Sequence, residues 1–420
     1  MVANYEINRI GGVVMISVGV DVAKGKSTIC AIDPYGEILM SPKDYRHNKT
    51  DMDYLYQKLC KFKDELHIVM EATGTYHFPV ANYFKEKGYI VIVVNPLEMK
   101  RYRYQGIRNP KTDKIDALII ARYGIDFWYR KHECLELSPQ REELRFLGME
   151  YQRFMKVRTD RSIALCNIMD RTIPGAYSYL DAYNRHTGKD KLSDFAEEYW
   201  HRDIILKYSE RKFCERYEKW AKKKGYRISA NEASQLYAIA KNGIHTLDAQ
   251  ESTYMIILSA TRLLKDANAS LFSILKRMQE IAKMLPEYET VMAMTGVGDT
   301  LGPRLMAEIG DPRRFHSAKA LIAYAGIDAP PYQSGQFTGT NRHISKRGSK
   351  ILRKIGFELI TTMNTNKRFD SDDPVCSYFM KKRDEGKHYR VAMFAAYNKF
   401  LRIYHARVSE VLNSLEKSIA

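Results

Sequence analysis

Four carboxylates occupy positions from which they could act together on a phosphate ester. Asp21 and Glu71 each follow a short apolar run of the kind that forms a buried strand. Asp113 and Asp116 are three residues apart, so on a helix both side chains face the same side. Carboxylate oxygens are ligands that Mg²⁺ and Mn²⁺ prefer, and such ions stabilise the attacking and leaving oxygens of a phosphodiester. The set therefore predicts a metal-dependent site for phosphoryl transfer.

Each of these carboxylates also has a purely structural interpretation. Asp113 could be a helix N-cap, and Asp21 could be a turn residue at the end of a strand. Two other acidic residues, Asp33 and Glu98, fit the geometry of a shared site less well. The metal site is favoured because the four residues occur together, each at the end of a predicted element.

The predicted elements of the first 125 residues explain how the carboxylates would meet. Strands are predicted at 13–22, 27–32, 37–40, 67–70 and 89–94, and helices at 52–62, 76–87 and 113–123. This order, βββαβαβα, favours an α/β fold whose sheet is covered by crossover helices. Ligands of such sheets lie at the carboxyl ends of the strands, so Asp21 and Glu71 approach each other if the first and fourth strands are neighbours.

A basic segment precedes the helix of Asp113 and is predicted to be a loop. Its cations surround Tyr102 and Tyr104, and they are Lys100, Arg101, Arg103, Arg108, Lys111 and Lys114. Basic side chains neutralise phosphates and aromatic rings stack on bases, so the segment predicts nucleic-acid binding. A generic basic surface loop is the alternative.

Residues 140–290 show no strand pattern and are predicted to be long helices, with a coiled coil as one arrangement. Apolar residues follow helical spacing from 271 to 285, where Pro286 stops them. Between these helices, the segment 207–227 holds nine basic and three acidic residues. Its simplest interpretation is a solvated helix face, with nucleic-acid contact as the alternative.

Ser334 lies in a glycine-containing loop that is followed by Arg342, Lys346 and Arg347. A serine that attacks phosphorus needs an accessible position and nearby cations for the developing charge. A Ser-Gly pair alone is more typical of an ordinary turn, and a hydrolase-type Gly-x-Ser-x-Gly motif is absent.

Gly296 and Gly298 belong to a glycine turn that opens a predicted helix. Backbone N–H groups at such a helix N-terminus could bind a nucleic-acid phosphate. A plain helix start explains the same residues equally well.

The overall charge predicts a polyanionic partner. The 420 residues include 67 lysines and arginines against 50 acidic residues, which gives a net charge of +17, and nucleic acid is the simplest partner.

The six cysteines are scattered without a C-x-x-C pair, which fits a reducing cytosol and argues against a zinc ribbon. The apolar run at 13–20 is too short for a transmembrane helix, and no basic region precedes it as in a secretory signal. Residues 1–14 are predicted to be an extension, and both Met1 and Met15 remain candidates for the start.

Short sequence blocks at both ends of the chain resemble blocks of a known family and occur in the same order as in that family. They are Gly-Val-Asp-Val-Ala-Lys at 19–24, Glu-Ala-Thr-Gly at 71–74, Lys-Thr-Asp-Lys-Ile-Asp-Ala at 111–117, Thr-Gly-Val-Gly at 295–298, Glu-Ile-Gly-Asp at 308–311, Ala-Tyr-Ala-Gly at 323–326, Ser-Gly at 334–335 and Ile-Ser-Lys-Arg-Gly at 344–348. With them the chain resembles the DEDD-type insertion-sequence transposases that carry a catalytic serine. These are the bridge-RNA-guided recombinases of the "IS one-ten" family.

The resemblance implies three domains. They are a RuvC-like (ribonuclease H-like) domain at 1–130, a helical or coiled-coil middle with a basic insertion at 131–290, and a mostly helical C-terminal transposase domain at 291–420. Asp21, Glu71, Asp113 and Asp116 would be the acidic tetrad, and Ser334 would be the nucleophile that forms a 5′-phosphoserine link with DNA.

The resemblance also implies partners and a place of action. The expected activity is RNA-guided, site-specific recombination of an insertion sequence in a bacterial or archaeal cytoplasm, associated with the nucleoid. The expected partners are donor DNA, target DNA, a structured non-coding guide (bridge) RNA and further copies of the chain in a dimer or tetramer, with no membrane. Composite sites would combine the acidic domain of one subunit with the serine domain of another.

Two departures from the family pattern leave alternatives open. The segment 326–330 is more acidic than the usual loop before the serine, and the insertion around 185–245 is longer than in compact members. A RuvC-like junction nuclease that hydrolyses DNA with a metal-activated water would use the same carboxylates without a serine. A basic nucleic-acid-binding protein with a decayed site is the non-catalytic alternative, against which the intact set of carboxylates argues.

Overall fold

The computed structural model describes residues 15–62, 64–94, 96–103, 112–127, 138–329, 333–334, 337–338, 343–365 and 372–419. Its contacts divide the chain into two compact units, Met1–Glu136 and Leu137–Ala420. The division into three domains with boundaries at 130 and 290 stays a prediction.

A five-stranded mixed sheet with helices on its faces forms the first unit. The strands are β1 (Met15–Ala23), β2 (Lys26–Ile32), β3 (Ile38–Arg46), β4 (Glu65–Glu71) and β5 (Ile90–Val94), in the order β3-β2-β1-β4-β5. The helices are α1 (Lys49–Leu59), α2 (His77–Glu86), α3 (Pro96–Arg103) and α4 (Asp113–Asp126).

β1 is the central strand, and its pairing confirms that the first and fourth strands are neighbours. It runs antiparallel to β2 and parallel to β4, which in turn is parallel to β5. Apolar residues occupy both faces of these strands and are buried, as expected for a sheet that is covered on two sides. Val20 and Met70 pack on one face with Phe84 of α2, while Val69 packs on the other face near Ile120 of α4.

Two elements differ from the sequence-based prediction. Residues 96–103, interpreted as the start of a basic loop, form α3, in which Pro96 takes the first helical position where its missing N–H is tolerated. β3 extends to Arg46 rather than ending at Met40. As an edge strand with most of its residues exposed, β3 has a polar sequence that hides its extent, and Asp44 pairs with Lys26 and Thr28 of β2.

The second unit is almost entirely helical where it is described. Its helices are α5 (Pro139–Thr172), α6 (Tyr177–Leu180), α7 (Lys191–Glu198), α8 (Arg202–Leu206), α9 (Glu210–Lys224), α10 (Glu232–Asn242), α11 (Glu251–Lys283), α12 (Tyr288–Met292), α13 (Leu301–Ile309), α14 (Ala318–Ala325), α15 (Lys350–Thr365), α16 (Pro374–Asp384) and α17 (Tyr389–Ile419). A pair of two-residue strands, β6 (Gln333–Ser334) and β7 (Phe337–Thr338), follows α14.

The predicted long helices are confirmed as α5 and α11, which pack against each other over most of their length. The pair is antiparallel, because Glu143 near the start of α5 contacts Arg277 near the end of α11, whereas Arg158 contacts Asn268. Their apolar residues continue into the core that α12–α17 form, with Tyr151 and Met278 among its members.

Helices α6–α10 form an insertion between the two long helices and have an aromatic core of their own. Phe195, Tyr199, Phe213, Tyr217 and Trp220 are all buried in it. This basic insertion is therefore folded around aromatic side chains, with Lys191 and Glu232 as a buried ion pair, while cations of α9 such as Lys212 and Lys219 are exposed. Within the described residues, no helix is both long enough and apolar enough to span a membrane.

Candidate active site

Parallel pairing of β1 and β4 places Asp21 and Glu71 at adjacent strand ends. Val20 is registered with Met70, and each acidic residue directly follows its paired residue. Buried apolar residues directly precede each carboxylate, Val20 in β1 and Met70 in β4, whereas Asp21 and Glu71 are themselves only partly buried. The predicted approach of Asp21 and Glu71 is therefore present in the fold.

Helix α4 brings Asp113 and Asp116 to the same edge. Thr112 caps the helix, its side-chain oxygen accepting from the N–H of Ile115 at 3.3 Å. α4 crosses β1 at Gly19, where a Cβ atom would lie 2.2 Å from the carbonyl oxygen of Ala117. Only glycine allows this approach, which sets the first turn of α4 over the end of β1.

The four carboxylates lie close enough to influence one another electrostatically. Burial, followed by repulsion from Asp116, Asp113 and Glu71, raises the pKa of Asp21 to about 6. Nearby Arg103 opposes the rise in pKa. Asp116 is 8% exposed, whereas Asp113 is exposed, so the cluster reaches from the core to the surface.

Arg103, at the end of α3, lies inside this acidic cluster. Its Nη2 is 3.0 Å from Oε2 of Glu71, and its Nε is 3.5 Å from Oδ1 of Asp116. The sequence pattern assigned Arg103 to nucleic-acid binding. Its ion pairs with Glu71 and Asp116 could not be predicted, because they depend on how α3 packs near the sheet.

A divalent cation fits the donor set by its chemistry. Four carboxylates and one guanidinium leave a net negative charge at a strand-end site, and carboxylate oxygens are the ligands of hard cations. In the arrangement of the described residues, no three His, Cys, Asp or Glu side chains are grouped around one point that could hold a metal ion. Arg103 bridges two of the carboxylates instead.

The other basic residues proposed for nucleic-acid binding in the first unit lie on or near α3. Lys100 and Arg101 are exposed on this helix. Arg108 and Lys111 lie outside the described residues.

In the second unit, Ser334 lies on β6, where its backbone pairs with that of Phe337 on β7. Arg342 lies outside the described residues. Lys346 and Arg347 are exposed on a segment at 343–349 that we call the basic loop. The first unit thus contains the predicted acidic residues, and the second unit contains the predicted serine nucleophile and its basic loop.

Hydrogen bonds to neighbouring acidic residues hold the basic loop in place. Asp328 accepts from the Ser345 hydroxyl and its carbonyl accepts from the Ser345 N–H at 2.8 Å, while Glu308 accepts from the Ser349 hydroxyl at 2.5 Å. The unusual acidity of the segment before the serine therefore has a structural role. Lys346 has a φ of 53°, and it is the one non-glycine residue with positive φ within the described part of the chain.

The glycine turn before α13 borders a cleft of about 420 Å³. Gly296 has a φ of 80°, and a Cβ there would lie 2.5 Å from Cγ of Met363, so glycine is required for close packing. Gly298 faces open space, with nothing within 4 Å of its Cβ position. Arg185 and His186 also line the cleft, and no sequence pattern indicates that this distant segment meets the turn.

Two regions of the chain match transposase families. Residues 18–174 match the DEDD transposase family of IS110 elements, and residues 288–378 match the transposase family IS116/IS110/IS902. The chain belongs to the IS110 family of transposases. In this transposase the four carboxylates lie within the first matched region, and Ser334 and the basic loop lie within the second.

Curated relatives of this transposase act in DNA rearrangement. It is 23% identical over 347 residues to the pilin gene-inverting protein of Moraxella bovis, covering 82% of this chain and 80% of that protein. It is 22% identical over 341 residues to the transposase for insertion sequence element IS1111A of Coxiella burnetii, covering 80% and 74%. The transposase is therefore an enzyme of DNA transposition or recombination.

Proposed function

We propose that this IS110-family transposase cuts and rejoins DNA through a covalent link to Ser334, assisted by Mg²⁺ or Mn²⁺ at Asp21, Glu71, Asp113 and Asp116. The observation that carries the proposal is that β1, β4 and the start of α4 bring these carboxylates within electrostatic range of Asp21. The first domain, with its mixed sheet and crossover helices, is proposed to be RuvC-like.

The metal would stabilise the negative charge that develops on the phosphate oxygens. The chain's own contribution is to hold the carboxylates together, because the sheet and α4 fix them against their mutual repulsion. Arg103 already offsets part of this repulsion through Glu71 and Asp116.

The proposed step at Ser334 conserves the energy of the phosphodiester. Its Oγ forms a bond to phosphorus as the bond from phosphorus to the 3′ oxygen breaks, the hydroxyl proton leaves Oγ, and the departing 3′ oxygen takes up a proton. Rejoining is the reverse attack by a 3′ hydroxyl on the phosphoserine, so ATP is not needed. Lys346 and Arg347 would neutralise the phosphate charge near this serine.

The names of the relatives favour rejoining of the cut DNA over simple hydrolysis. Inverting a pilin gene and moving an insertion sequence both require cut strands to be sealed again. We extend the proposal to donor and target DNA selected by a structured guide RNA, in a homodimer or homotetramer. Lys100, Arg101, Gly296 and Gly298 would then contact nucleic-acid phosphates.

The test is to trap the covalent link. The protein with Mg²⁺ is incubated with nicked donor DNA and its guide RNA, and peptides are examined by mass spectrometry for a nucleotide adduct. We expect an adduct on the Ser334 peptide that is lost in Ser334→Ala. Ser377→Ala is the matched control, because Ser377 is exposed in the same unit and bonds only locally to the carbonyl of Pro374 at 3.3 Å.

Unchanged strand exchange by Ser334→Ala would refute the serine assignment. Cleaved DNA with free 5′ ends and no attached protein would instead favour a junction nuclease that uses the same carboxylates with water. Full Mg²⁺-dependent activity of Asp21→Asn would refute the metal assignment.

A further inference from the structure

We infer that helix α9 of the insertion is a docking surface for the phosphate backbone of duplex DNA, through a row of four cations: Lys212, Arg216, Lys219 and Lys223. We call this set the α9 row. The inference goes beyond the proposed function, because it concerns neither the carboxylates nor Ser334, and it needs only that the transposase acts on DNA.

The spacing of the α9 row places all four cations on one side of the helix. Steps of four, three and four residues return to the same face of an α-helix, so the row runs straight for about 16 Å. All four side chains are exposed. A separate face of α9 is buried, and it is formed by Phe213, Tyr217, Trp220 and Ala221.

The α9 row differs in charge balance from the row beside it on the same helix. The neighbouring row contains Arg211, Glu215, Glu218 and Lys222, so its charges cancel, and Arg211 pairs with Glu215 at 3.2 Å. In the described part of the chain, no member of the α9 row forms an ion pair with a carboxylate. The exposed surface of α9 is therefore divided into a neutral row and a uniformly positive one.

Helix stability does not account for the whole row. The C-terminal end of a helix favours cations, which explains Lys223 and its neighbours in the last turn. Lys212 is in the first turn, where the helix dipole disfavours a positive charge. A cation at a position that the helix itself disfavours points to a negative charge supplied from outside the chain.

Contacts beneath α9 and at its end fix the helix backbone that carries the row. Tyr217 donates to Oε1 of Glu232 at 2.6 Å within the aromatic core, and Lys189 donates to the carbonyl of Lys224 at 2.7 Å at the end of the helix. The guanidinium of Arg216 lies 4.6 Å from the centre of the Tyr208 ring. The backbone positions of the four cations are therefore fixed before any contact with a regular array of phosphates, and the Arg216 side chain is already positioned.

Duplex DNA suits this row better than duplex RNA. The wide major groove of B-form DNA accepts an α-helix between its phosphate backbones, so a cation row on a helix can follow one backbone. The major groove of A-form RNA is deep and narrow and does not admit a helix, so the row could contact RNA phosphates only from outside the groove. The contact would be independent of sequence, since phosphates carry no base information.

The experiment compares two double variants of the full chain that remove the same charge from the same helix. Lys212→Gln/Lys219→Gln changes the α9 row, and Arg211→Gln/Lys222→Gln changes the neutral row. Binding to a linear DNA duplex is measured by fluorescence anisotropy between about 50 and 200 mM salt, because each phosphate contact contributes about −0.9 to the slope of log affinity against log salt.

We expect the α9-row variant to lower the magnitude of this slope by about 2, and the control variant to lower it by less than about half a unit. Equal slopes for the two variants would overturn the inference, because the effect would then be one of net charge. A change confined to duplex RNA of the same length would overturn the assignment to DNA. Circular dichroism of both variants, with unchanged helix content, shows that neither effect comes from unfolding. Loss of activity at Ser334 would leave this result untouched, so the two proposals fail separately.

Discussion

Replacing Asp21 by asparagine is expected to stabilise the metal-free transposase at neutral pH. The carboxylate is partly buried among three others, and burial is the largest cause of its raised pKa, followed by repulsion from Asp116. Asparagine has nearly the same shape and no charge, so it removes both the desolvation penalty and the repulsion. The same change would remove a proposed metal ligand, so stability and function should move in opposite directions.

The magnitude follows from the pKa of Asp21. A rise from 3.8 to about 6 is about two units, and one unit corresponds to ~1.4 kcal/mol. The full conversion is an upper limit, because Asp21 is still reached by solvent, which screens the repulsion. We therefore expect the free energy of unfolding to rise by ~1–2 kcal/mol, which raises the melting temperature of a domain of this size by a few degrees.

The gain should depend on pH. The folded protein holds the Asp21 proton up to about pH 6, whereas the unfolded chain releases it near 3.8, so the wild type loses stability as the pH rises between these values. The variant has no such group. Its advantage should therefore be small near pH 4, grow toward pH 6 and stay constant above it.

The assay is denaturant unfolding of wild type and Asp21→Asn in EDTA, at about pH 5.0, 6.0 and 7.5. Asp44→Asn is the matched control in the same sheet, because hydrogen bonds from Lys26 and Thr28 lower the pKa of Asp44 and its replacement should not stabilise. If Asp21→Asn is no more stable than wild type at pH 7.5, or if its advantage is the same at every pH, the carboxylates do not repel one another as described.

Two further predictions concern single cations. Arg103→Gln removes the cation that bridges Glu71 and Asp116. We therefore expect the variant to bind Mn²⁺ several-fold more tightly in the absence of DNA, as measured by calorimetry. Unchanged or weaker Mn²⁺ binding would contradict the bridging role. Lys346→Gly relieves a left-handed backbone, so its free energy of unfolding should stay unchanged or rise by ~1 kcal/mol while DNA binding weakens. Lys346→Ala, which removes the charge but keeps the strain, should weaken DNA binding equally without the gain, and full DNA binding by either variant would refute a phosphate contact.

The parts of the site that could be predicted from sequence are those fixed by local patterns. Apolar runs define β1 and β4, and an acidic residue at the end of each run marks where a ligand site would be. The three-residue spacing of Asp113 and Asp116 fixes their common direction on a helix. Gly19 could not be interpreted in advance, because its role is to admit α4, which is distant in sequence.

The parts that could not be predicted depend on contacts between elements distant in the chain. Arg103 belongs to a basic stretch with the composition of a nucleic-acid contact, yet α3 turns it toward Glu71 and Asp116. Asp328 made the segment before Ser334 unusually acidic, and only the fold reveals that it accepts hydrogen bonds from Ser345 of the basic loop. In both cases the charge was evident and its partner was not.

Local energetics separate charges that serve the fold from charges that serve a partner. The cations in the last turn of α9 stabilise the helix and need no further explanation. Lys212 opposes the dipole of that helix, Lys346 occupies a strained backbone conformation, and Asp21 lies where three carboxylates repel it. Each of these three residues has a local cost in the isolated chain. A counter-charge would offset that cost for Lys212, through phosphate, and for Asp21, through a divalent cation, whereas for Lys346 phosphate binding would compensate for the backbone strain without relieving it. The net charge of +17 alone cannot make this distinction, because it counts every cation equally.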